Sequence, residues 1–494
     1  MECNISHKVK NFSFLLTMLL LTACGSDHKP VSSDMKVDDF RRSDFIDNTK
    51  SRFPLANYDQ SVDKWVPPDG INNNTLLMDD ETQRKYFAKL LSRYFGMKVN
   101  ERSPWNPVYI DRILKRTPEK TRDASIHEFL SQESRSWGEN FRLNPESWKQ
   151  LLRGNAQRPF ARTYQAKSRA ITVRETLVRV LPTDGPAYND PKLAGEGYPF
   201  DRLQMSSLRP ATPIYIIGES TDKNWKYVIS PTVIGWVKSD DTALVDASFI
   251  TQWTLLAQRK LGAFIKEGVS VNDKNNFYFI ARPGTILPYV SSGTRGYTVW
   301  VPKRLANGQA IVRKVQLDNH VFTPMPMKMT PANMALLMKS MIGRPYGWGN
   351  TLFYNDCSAE LLSLMMPFGI SLPRNSAAQI QTAARVVDLS DMDTQGRIEY
   401  LKKYGKPFTT LIYLPGHIML YIGNAQLKGQ SVAMVYNNIW GLRPQGIQSR
   451  SIIGGSVILP LLSVYPEDPS LSSLASKPQF KLGFLEQNPL IERQ

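Results

Sequence analysis

The stretch Asn355-Asp-Cys-Ser-Ala-Glu-Leu-Leu-Ser-Leu-Met-Met366 carries the strongest structural signal in this chain. Asp356 is a favoured N-cap residue, and the apolar residues after it predict a helix whose first turn begins at Cys357. Further along, Gly416-His417 opens the apolar run Ile418-Met-Leu-Tyr-Ile422, which predicts a buried strand. A thiol at a helix N-terminus and near an imidazole has a lowered pKa and becomes nucleophilic. We therefore expect a reactive cysteine–histidine pair.

The same two residues also allow an ordinary structural interpretation. A buried cysteine usually packs as a small apolar residue, and a histidine on a strand usually belongs to the core. A reactive pair needs a third side chain that accepts the other imidazole N–H. The run Val432-Ala-Met-Val-Tyr436 predicts a strand that ends at two asparagines. We favour Asn437 as this third residue, with Asn438 as the alternative.

The cysteine content indicates export. The chain has three cysteines, and Cys3 and Cys24 lie in an N-terminal segment with Lys8, Lys10 and an apolar run that is too short to span a bilayer. Leu21-Thr-Ala-Cys24 resembles a bacterial lipobox, which implies a signal peptide at 1–23 and lipidation of Cys24. A buried N-terminal helix is the alternative. Cys357 would then be the sole free thiol, and no intrachain disulfide could form.

Several expectations about location and partners follow. Gly25, where an aspartate would signal inner-membrane retention, favours an outer-membrane anchor facing the periplasm. The 61 basic and 44 acidic residues give a net charge of +17, which favours anionic wall polymer, lipopolysaccharide or phospholipid surfaces. The exported context argues against nucleic acid. The chain has no His-Glu-x-x-His sequence or clustered Cys and His ligands, so we expect no metal or other cofactor, and we expect a monomer.

At 494 residues the chain is too long for one core. We expect a tether at 24–75, a helical domain at 76–160, and a C-terminal tail at 466–494. Short strand-like runs broken by Pro and Gly occupy 165–245 and again 275–322. Their phrases, such as Trp225-Lys-Tyr-Val and Gly235-Trp-Val237, resemble bacterial SH3-like domains.

Five phrases in the last third of the chain point to a known family. They are Arg344-Pro-Tyr-Gly-Trp-Gly349, Asp356-Cys-Ser358, Leu372-Pro-Arg-Asn-Ser376, Gly416-His417 and Asn437-Asn-Ile-Trp-Gly441. In this order they make residues 330–465 resemble the catalytic domain of NlpC-type cysteine peptidases. The resemblance implies an α+β, multi-domain protein with a circularly permuted papain-like peptidase domain. It also implies cleavage of γ-D-glutamyl–diaminopimelate bonds in peptidoglycan stem peptides.

The resemblance assigns roles to individual residues. Cys357 matches the nucleophile, His417 its base, and Asn437 a position where many relatives carry histidine. Asp356 would bind the ammonium of an N-terminal L-Ala, and Ser358 and Ser376 the D-Glu carboxylate. Tyr346 is also expected to contact substrate.

Some assignments stay open. The first SH3-like domain would contribute a wall of the pocket, for which Trp225 and Tyr227 are candidates, with a role in the barrel core as the alternative. Arg374 would hold its loop through backbone carbonyls or contact substrate.

Two other functions compete with hydrolysis. A catalytically silent lipoprotein could bind the wall through its SH3-like pair and positive charge, but such an adaptor gains nothing from a free thiol. An acyl-transferring enzyme on the same fold would use the same cysteine and histidine. Whether the substrate is a free stem peptide or the intact wall is also open.

Overall fold

The computed structural model describes residues 52–193, 195–294, 296–445 and 449–486. The predicted signal peptide, the lipidation site Cys24 and the start of the predicted tether lie outside the described residues. Within the described ranges, every helix is too short or too polar to cross a membrane.

Five helices precede the first sheet in the described part of the chain. They are α1 (Val62–Trp65), α2 (Asp80–Phe95), α3 (Pro107–Leu114), α4 (Pro118–Leu130) and α5 (Glu146–Ala156). Side chains cap two of them: Asp79 accepts from the Thr82 backbone N–H, and Asn106 accepts from that of Val108. The helical segment shares its cores with other parts of the protein. The apolar face of α2 packs with the second β-domain, and α4 and α5 pack with the first.

The first β-domain is an antiparallel sheet. Its strands, in the spatial order β3-β2-β6-β5-β4-β1-β7, are β1 (Arg169–Thr172), β2 (Thr176–Arg179), β3 (Gln204–Leu208), β4 (Pro213–Glu219), β5 (Trp225–Ile229), β6 (Ile234–Lys238) and β7 (Thr242–Leu244). Trp225, Tyr227 and Trp236 are buried in its core, where Phe160 of the helical segment stacks on Tyr227.

The second β-domain follows helix α6 (Ala247–Arg259). Its strands are β8 (Leu261–Phe264), β9 (Val269–Asn272), β10 (Phe277–Ala281), β11 (Ile286–Gly293), β12 (Gly296–Arg304), β13 (Ala310–Asp318) and β14 (Phe322–Pro324). Five of them form a sheet in the order β13-β12-β11-β8-β14, and β9 pairs with β10. The predicted start of this domain at residue 275 is therefore too late, because β8 and β9 precede it. All four residues of β8 are buried, so β8 lacks the alternation that marked the other strands.

The C-terminal domain places a six-stranded sheet against helices. Its elements are α7 (Pro331–Met341), α8 (Cys357–Met365), α9 (Ser376–Ile380), β15 (Arg385–Asp388), α10 (Thr394–Tyr404), β16 (Thr410–Leu414), β17 (His417–Leu427), β18 (Gln430–Leu442), β19 (Ser451–Pro460) and β20 (Lys481–Phe484). The strand order is β15-β20-β16-β17-β18-β19. Helix α8 packs its apolar face on β17 and β18, burying Leu361 and Leu364 against Ile418 and Tyr436. The α+β class expected from the sequence is confirmed.

Two predicted boundaries of this domain are wrong. Strand β20 lies between β15 and β16, so residues up to 485 belong to the domain and not to a tail. The described part of the predicted tether is also packed, because Phe53, Tyr58, Val62 and Val66 are buried in the cores of this domain. Their apolar side chains are too widely spaced in the sequence to show a period.

A chain of alternating charges connects the two β-domains to the C-terminal domain. The Glu175 carboxylate pairs with Arg209 on one side and with Arg282, at 3.0 Å, on the other. Glu267 pairs with Arg282 at 2.5 Å and with Arg344 at 3.0 Å. Four of these side chains are at most 13% exposed, and their opposite charges offset much of the cost of burial.

Candidate active site

The thiol of Cys357 lies where α8 meets the start of β17. Cys357 is the first residue of α8 and is 7% exposed. Asp356 caps the helix, since its Oδ1 accepts a hydrogen bond from the Ala359 backbone N–H at 2.9 Å. Cys357 Sγ lies 4.0 Å from the Gly416 carbonyl oxygen, and the next residue, His417, begins β17. The structure thus brings the predicted pair to one place.

The pKa values of this pair differ from the sequence expectation. Burial, assisted by the negative charge of Asp356, raises the pKa of Cys357 to about 12. Burial lowers the pKa of His417 to about 4, although Asn437 and the charge of Asp356 act in the opposite direction. The expected lowering of the Cys357 pKa is therefore wrong for the unliganded protein. Both groups rest in their neutral forms at pH 7.

Asn437 and Asn438 point to opposite faces of β18, as successive residues of a strand must. Asn438 Nδ2 donates to the Asn355 carbonyl oxygen at 2.9 Å. Asn437 lies beside His417 and influences its pKa. In the described part of the chain, His417 Nε2 and both amide atoms of Asn437 are buried without a close hydrogen-bond partner. Asn437, and not Asn438, is thus placed to orient the imidazole when substrate binding shortens the distance between the two side chains.

Asp356 and Ser358, both predicted to bind substrate, are held by Arg374. Asp356 Oδ2 accepts from Arg374 Nη2 at 2.6 Å and from the Gly349 backbone N–H at 3.1 Å. Burial alone would raise the pKa of Asp356, but Arg374 and the other donors outweigh it and lower the pKa. Ser358 Oγ lies 2.9 Å from Arg374 Nη1 and 3.0 Å from Asp356 Oδ1. Arg374 therefore binds side chains, and the expected contact with backbone carbonyls is wrong.

The first β-domain docks directly on this site. Arg374 Nε donates to Ser206 Oγ at 2.8 Å, and Gln204 Nε2 donates to the Gly349 carbonyl oxygen at 2.7 Å. Ser376 begins α9, two residues after Arg374, and is half-buried. These contacts join segments that are far apart in the sequence, so no local sequence pattern predicts them.

An aromatic cluster forms one wall of the site. The ring of Phe200, from the first β-domain, lies 5.3 Å from that of Trp348, 5.9 Å from that of Trp440 and 6.4 Å from that of Tyr346. Tyr346 is buried, and burial raises its pKa well above the ordinary value. The sequence alone did not predict Phe200, although Tyr198-Pro-Phe200 is an aromatic pair in a loop. Trp225 and Tyr227 lie in the domain core, which agrees with the alternative interpretation.

A groove of about 300 Å³ lies in front of His417. It is lined by the turn before β17, the end of β18, the segments before and after β19, and the aromatic cluster. The residues that line it are Phe200, Tyr346, Trp348, Leu414, Pro415, Gly416, His417, Ile439, Trp440, Gly441, Leu442, Arg443, Arg450, Ser472, Leu474 and Lys477.

A buried carboxylate holds the elements around the site together. Glu360, one turn into α8, accepts hydrogen bonds from Ser456 Oγ at 2.7 Å, from Asn355 Nδ2 at 2.8 Å and from the Tyr436 hydroxyl. Burial raises the pKa of Glu360. This network joins α8 to β18, β19 and the loop before Cys357. The sequence alone did not predict this network, because a glutamate is common in helices and Glu360 gives no sign of its burial.

Comparisons with known proteins agree with this architecture. A model of the SH3 domain of SH3b1 type matches residues 186–238, and a model of the SH3b2 type matches residues 246–293. An NlpC/P60 endopeptidase from Photobacterium damselae subsp. piscicida is 27% identical, with a TM-score of 0.75 over 87% of this chain and 98% of its own. An NlpC/P60 family protein from Bacillus cereus is 15% identical, with a TM-score of 0.39 over 62% of this chain and 98% of its own. The search of curated proteins gives no match.

Proposed function

We propose that this chain, an NlpC-type protein with two bacterial SH3-like domains, is a cysteine peptidase of the cell wall. Its substrate is the γ-D-glutamyl–diaminopimelate bond of peptidoglycan stem peptides. The observation that carries the proposal is the arrangement of three residues: Cys357 at the start of α8, His417 at the start of β17, and Asn437 beside the imidazole.

The chemistry starts from a neutral thiol and a neutral imidazole. Substrate binding brings the carbonyl carbon to Sγ, and His417 takes the thiol proton as the S–C bond forms. The backbone N–H of Ile418, which interacts with the Cys357 sulfur, and that of Cys357 are available to stabilise the oxyanion. His417 then protonates the leaving amine, and water hydrolyses the thioester.

Recognition of the acyl part of the substrate rests on the residues around Asp356. We assign the ammonium of an unblocked L-Ala to Asp356, the D-Glu carboxylate to Ser358 and Ser376, and an aromatic contact to Tyr346. An amide in place of the ammonium would leave the buried Asp356 without that partner. The Arg374 ion pair limits this penalty, since Asp356 keeps one cationic neighbour. We therefore expect a preference for free stem peptides over stems attached to the glycan.

Mass analysis of digested muropeptides tests the proposal. Wild-type protein should release diaminopimelate-containing fragments, and Cys357→Ala should release none. Cleavage of another bond, or transfer to an amine acceptor, would replace the proposed bond or reaction, and full activity in Cys357→Ala would refute the cysteine mechanism. Equal rates on L-Ala-γ-D-Glu-diaminopimelate with and without N-acetylation would remove the ammonium role of Asp356.

We also propose that Cys24 is lipidated and anchors the protein to the outer membrane, facing the periplasm. Three acyl chains on one cysteine would anchor it stably. Cys24→Ala should yield a soluble or unprocessed protein, whereas Cys3→Ala should fractionate with membranes like the wild type. Unchanged membrane association of Cys24→Ala would refute lipidation.

A further inference from the structure

We propose that Arg443, Arg450 and Lys477 form a carboxylate-binding subsite for the leaving half of the substrate. This inference rests on the proposed peptidase function and adds a specificity to it. The enzyme would prefer a leaving peptide whose diaminopimelate residue carries free carboxylates over one in which they are amidated.

The position of the three cations indicates which half of the substrate this groove binds. All three line the groove that His417 also lines. As the general acid, His417 must face the leaving amine, so residues that continue the groove beyond it face the leaving peptide. Of the four residues assigned to the acyl half, Tyr346 lines the groove, whereas Asp356, Ser358 and Ser376 lie outside its lining, and Asp356 and Ser358 contact Arg374 instead.

Backbone contacts hold the segments that carry these cations. The Arg443 carbonyl oxygen accepts from the Ser472 backbone N–H at 2.8 Å, which ties the end of β18 to the segment leading to Lys477. The Lys477 carbonyl oxygen accepts from Arg397 Nη1 at 2.6 Å. At Gly195 an added Cβ would lie 2.6 Å from Arg450 Nη2, so the loop of the first β-domain packs closely on that guanidinium. The cluster is thus built from three separately anchored segments.

The three cations lack acidic partners. Within the described ranges, none has a carboxylate oxygen within 4.0 Å, whereas buried Arg209, Arg282 and Arg374 all do. Burial, and after it the charge of Arg443, lower the pKa values of Arg450 and Lys477; Arg450 lowers that of Lys477 as well, and Glu196 partly offsets the lowering at Arg450. A ligand with negative charge would relieve this repulsion.

Diaminopimelate suits this site chemically. The leaving residue presents its α-amino group to His417 and carries a carboxylate on the same carbon, when no residue follows, and another at its far end. Guanidinium groups bind carboxylates through two parallel hydrogen bonds, and a lysine ammonium adds a point charge. Two arginines and one lysine can therefore bind one or both of these carboxylates.

Kinetics on two substrates test the subsite. L-Ala-γ-D-Glu-meso-diaminopimelate is compared with the same peptide carrying amidated diaminopimelate carboxylates. We expect the wild type to favour the free acid by about tenfold in kcat/KM, mainly through KM. The combined variant Arg443→Gln, Arg450→Gln, Lys477→Gln should lose this preference, so that its kcat/KM values on the two peptides become equal. Lys314→Gln, an exposed change on β13, should keep the preference.

A binding measurement separates failure of the subsite from failure of the proposed function. Free meso-diaminopimelate is titrated into Cys357→Ala, with and without the three Gln substitutions, and followed by NMR. Weaker binding in the substituted protein supports the subsite even if neither peptide is cleaved. Equal rates of the wild type on both peptides would overturn it. If neither peptide is cleaved, absent binding or equal binding to both proteins would overturn it as well.

Discussion

Burial and the helix N-terminus act on Cys357 in opposite directions. The first turn of α8 favours the thiolate, but the thiol is 7% exposed and lies next to the Asp356 carboxylate. Burial is the larger effect, so the thiol keeps its proton until substrate or a conformational change alters its surroundings. The same burial keeps the His417 imidazole neutral, which is the form that a general base needs.

This state predicts how the thiol reacts with iodoacetamide. Because the pKa of Cys357 is about 12, the thiolate fraction should rise about tenfold per pH unit from pH 7 to pH 9. The alkylation rate of the unliganded protein should rise with it, and His417→Ala should change this dependence little. A rate that is already constant above pH 6 would indicate a thiolate–imidazolium pair and contradict the prediction.

Separate substitution of Asn437 and Asn438 should distinguish orientation of the His417 imidazole from stabilisation of the fold. Asn437→Ala should lower kcat by about 10- to 100-fold through loss of imidazole orientation, with little effect on unfolding. Asn438→Ala removes the bond to the Asn355 carbonyl oxygen and should cost about 1 kcal/mol of stability, with a smaller effect on kcat.

Turnover measurements on the proposed nucleophile and base test whether the two residues act together. Cys357→Ala and His417→Ala should each abolish most turnover, and the double variant should be no worse. A damaging Asn438→Ala together with a silent Asn437→Ala would reverse the assignment.

At the scale of secondary-structure elements, Glu360 holds α8, which carries the proposed nucleophile, on its sheet. Its carboxylate receives donors from β18, from β19 and from the loop before Cys357. A buried acceptor with several donors stabilises their arrangement only while all of them are satisfied. The position of Cys357 relative to β17 therefore depends on a residue that has no role in the proposed reaction.

Replacement of Glu360 tests this role. Glu360→Gln leaves one acceptor oxygen where the carboxylate has two, so the donors on one side lose their acceptor, and should cost about 1–3 kcal/mol of unfolding free energy. Glu399→Gln is the control, because Glu399 is exposed and pairs with Lys402 on the surface of α10, and should change stability by less than about 0.5 kcal/mol. Urea unfolding followed by circular dichroism measures both, and equal stabilities of the two variants would contradict the role.

At the scale of the whole molecule, the site is assembled from the C-terminal domain and the first β-domain, and charged side chains join the second β-domain to both. The first β-domain supplies Phe200 to the aromatic wall and Ser206 to Arg374. The charge chain centred on Glu175 joins both β-domains to the C-terminal domain, and Arg209 continues it to Ser363 on α8, at 3.0 Å. We infer that the first β-domain shapes the pocket in addition to any binding of the wall.

Breaking the charge chain should affect stability and activity together. Glu175→Gln leaves Arg209 and Arg282 buried with one charge fewer between them, and should cost about 3–5 kcal/mol. Glu219→Gln, which alters an exposed pair with Arg158, should cost less than about 1 kcal/mol. Chemical denaturation and peptidase assays measure the two effects. A Glu175→Gln protein as stable and active as the control would show that the domains do not depend on this chain.

The sequence alone determined those features that depend on neighbouring residues. The start of α8 at Cys357 with its Asp356 cap, the start of β17 at His417, and the α+β multi-domain class follow from local patterns and from phrases in order. Only the tertiary structure decided the rest. Strand alternation and the packing of α8 separate Asn437 from Asn438, burial sets the thiol pKa, and β20 enters the sheet from the predicted tail. Arg374 meets Asp356, 18 residues away, and Ser206, 168 residues away. Such contacts arise from tertiary packing within and between domains, and no local period or cap predicts them.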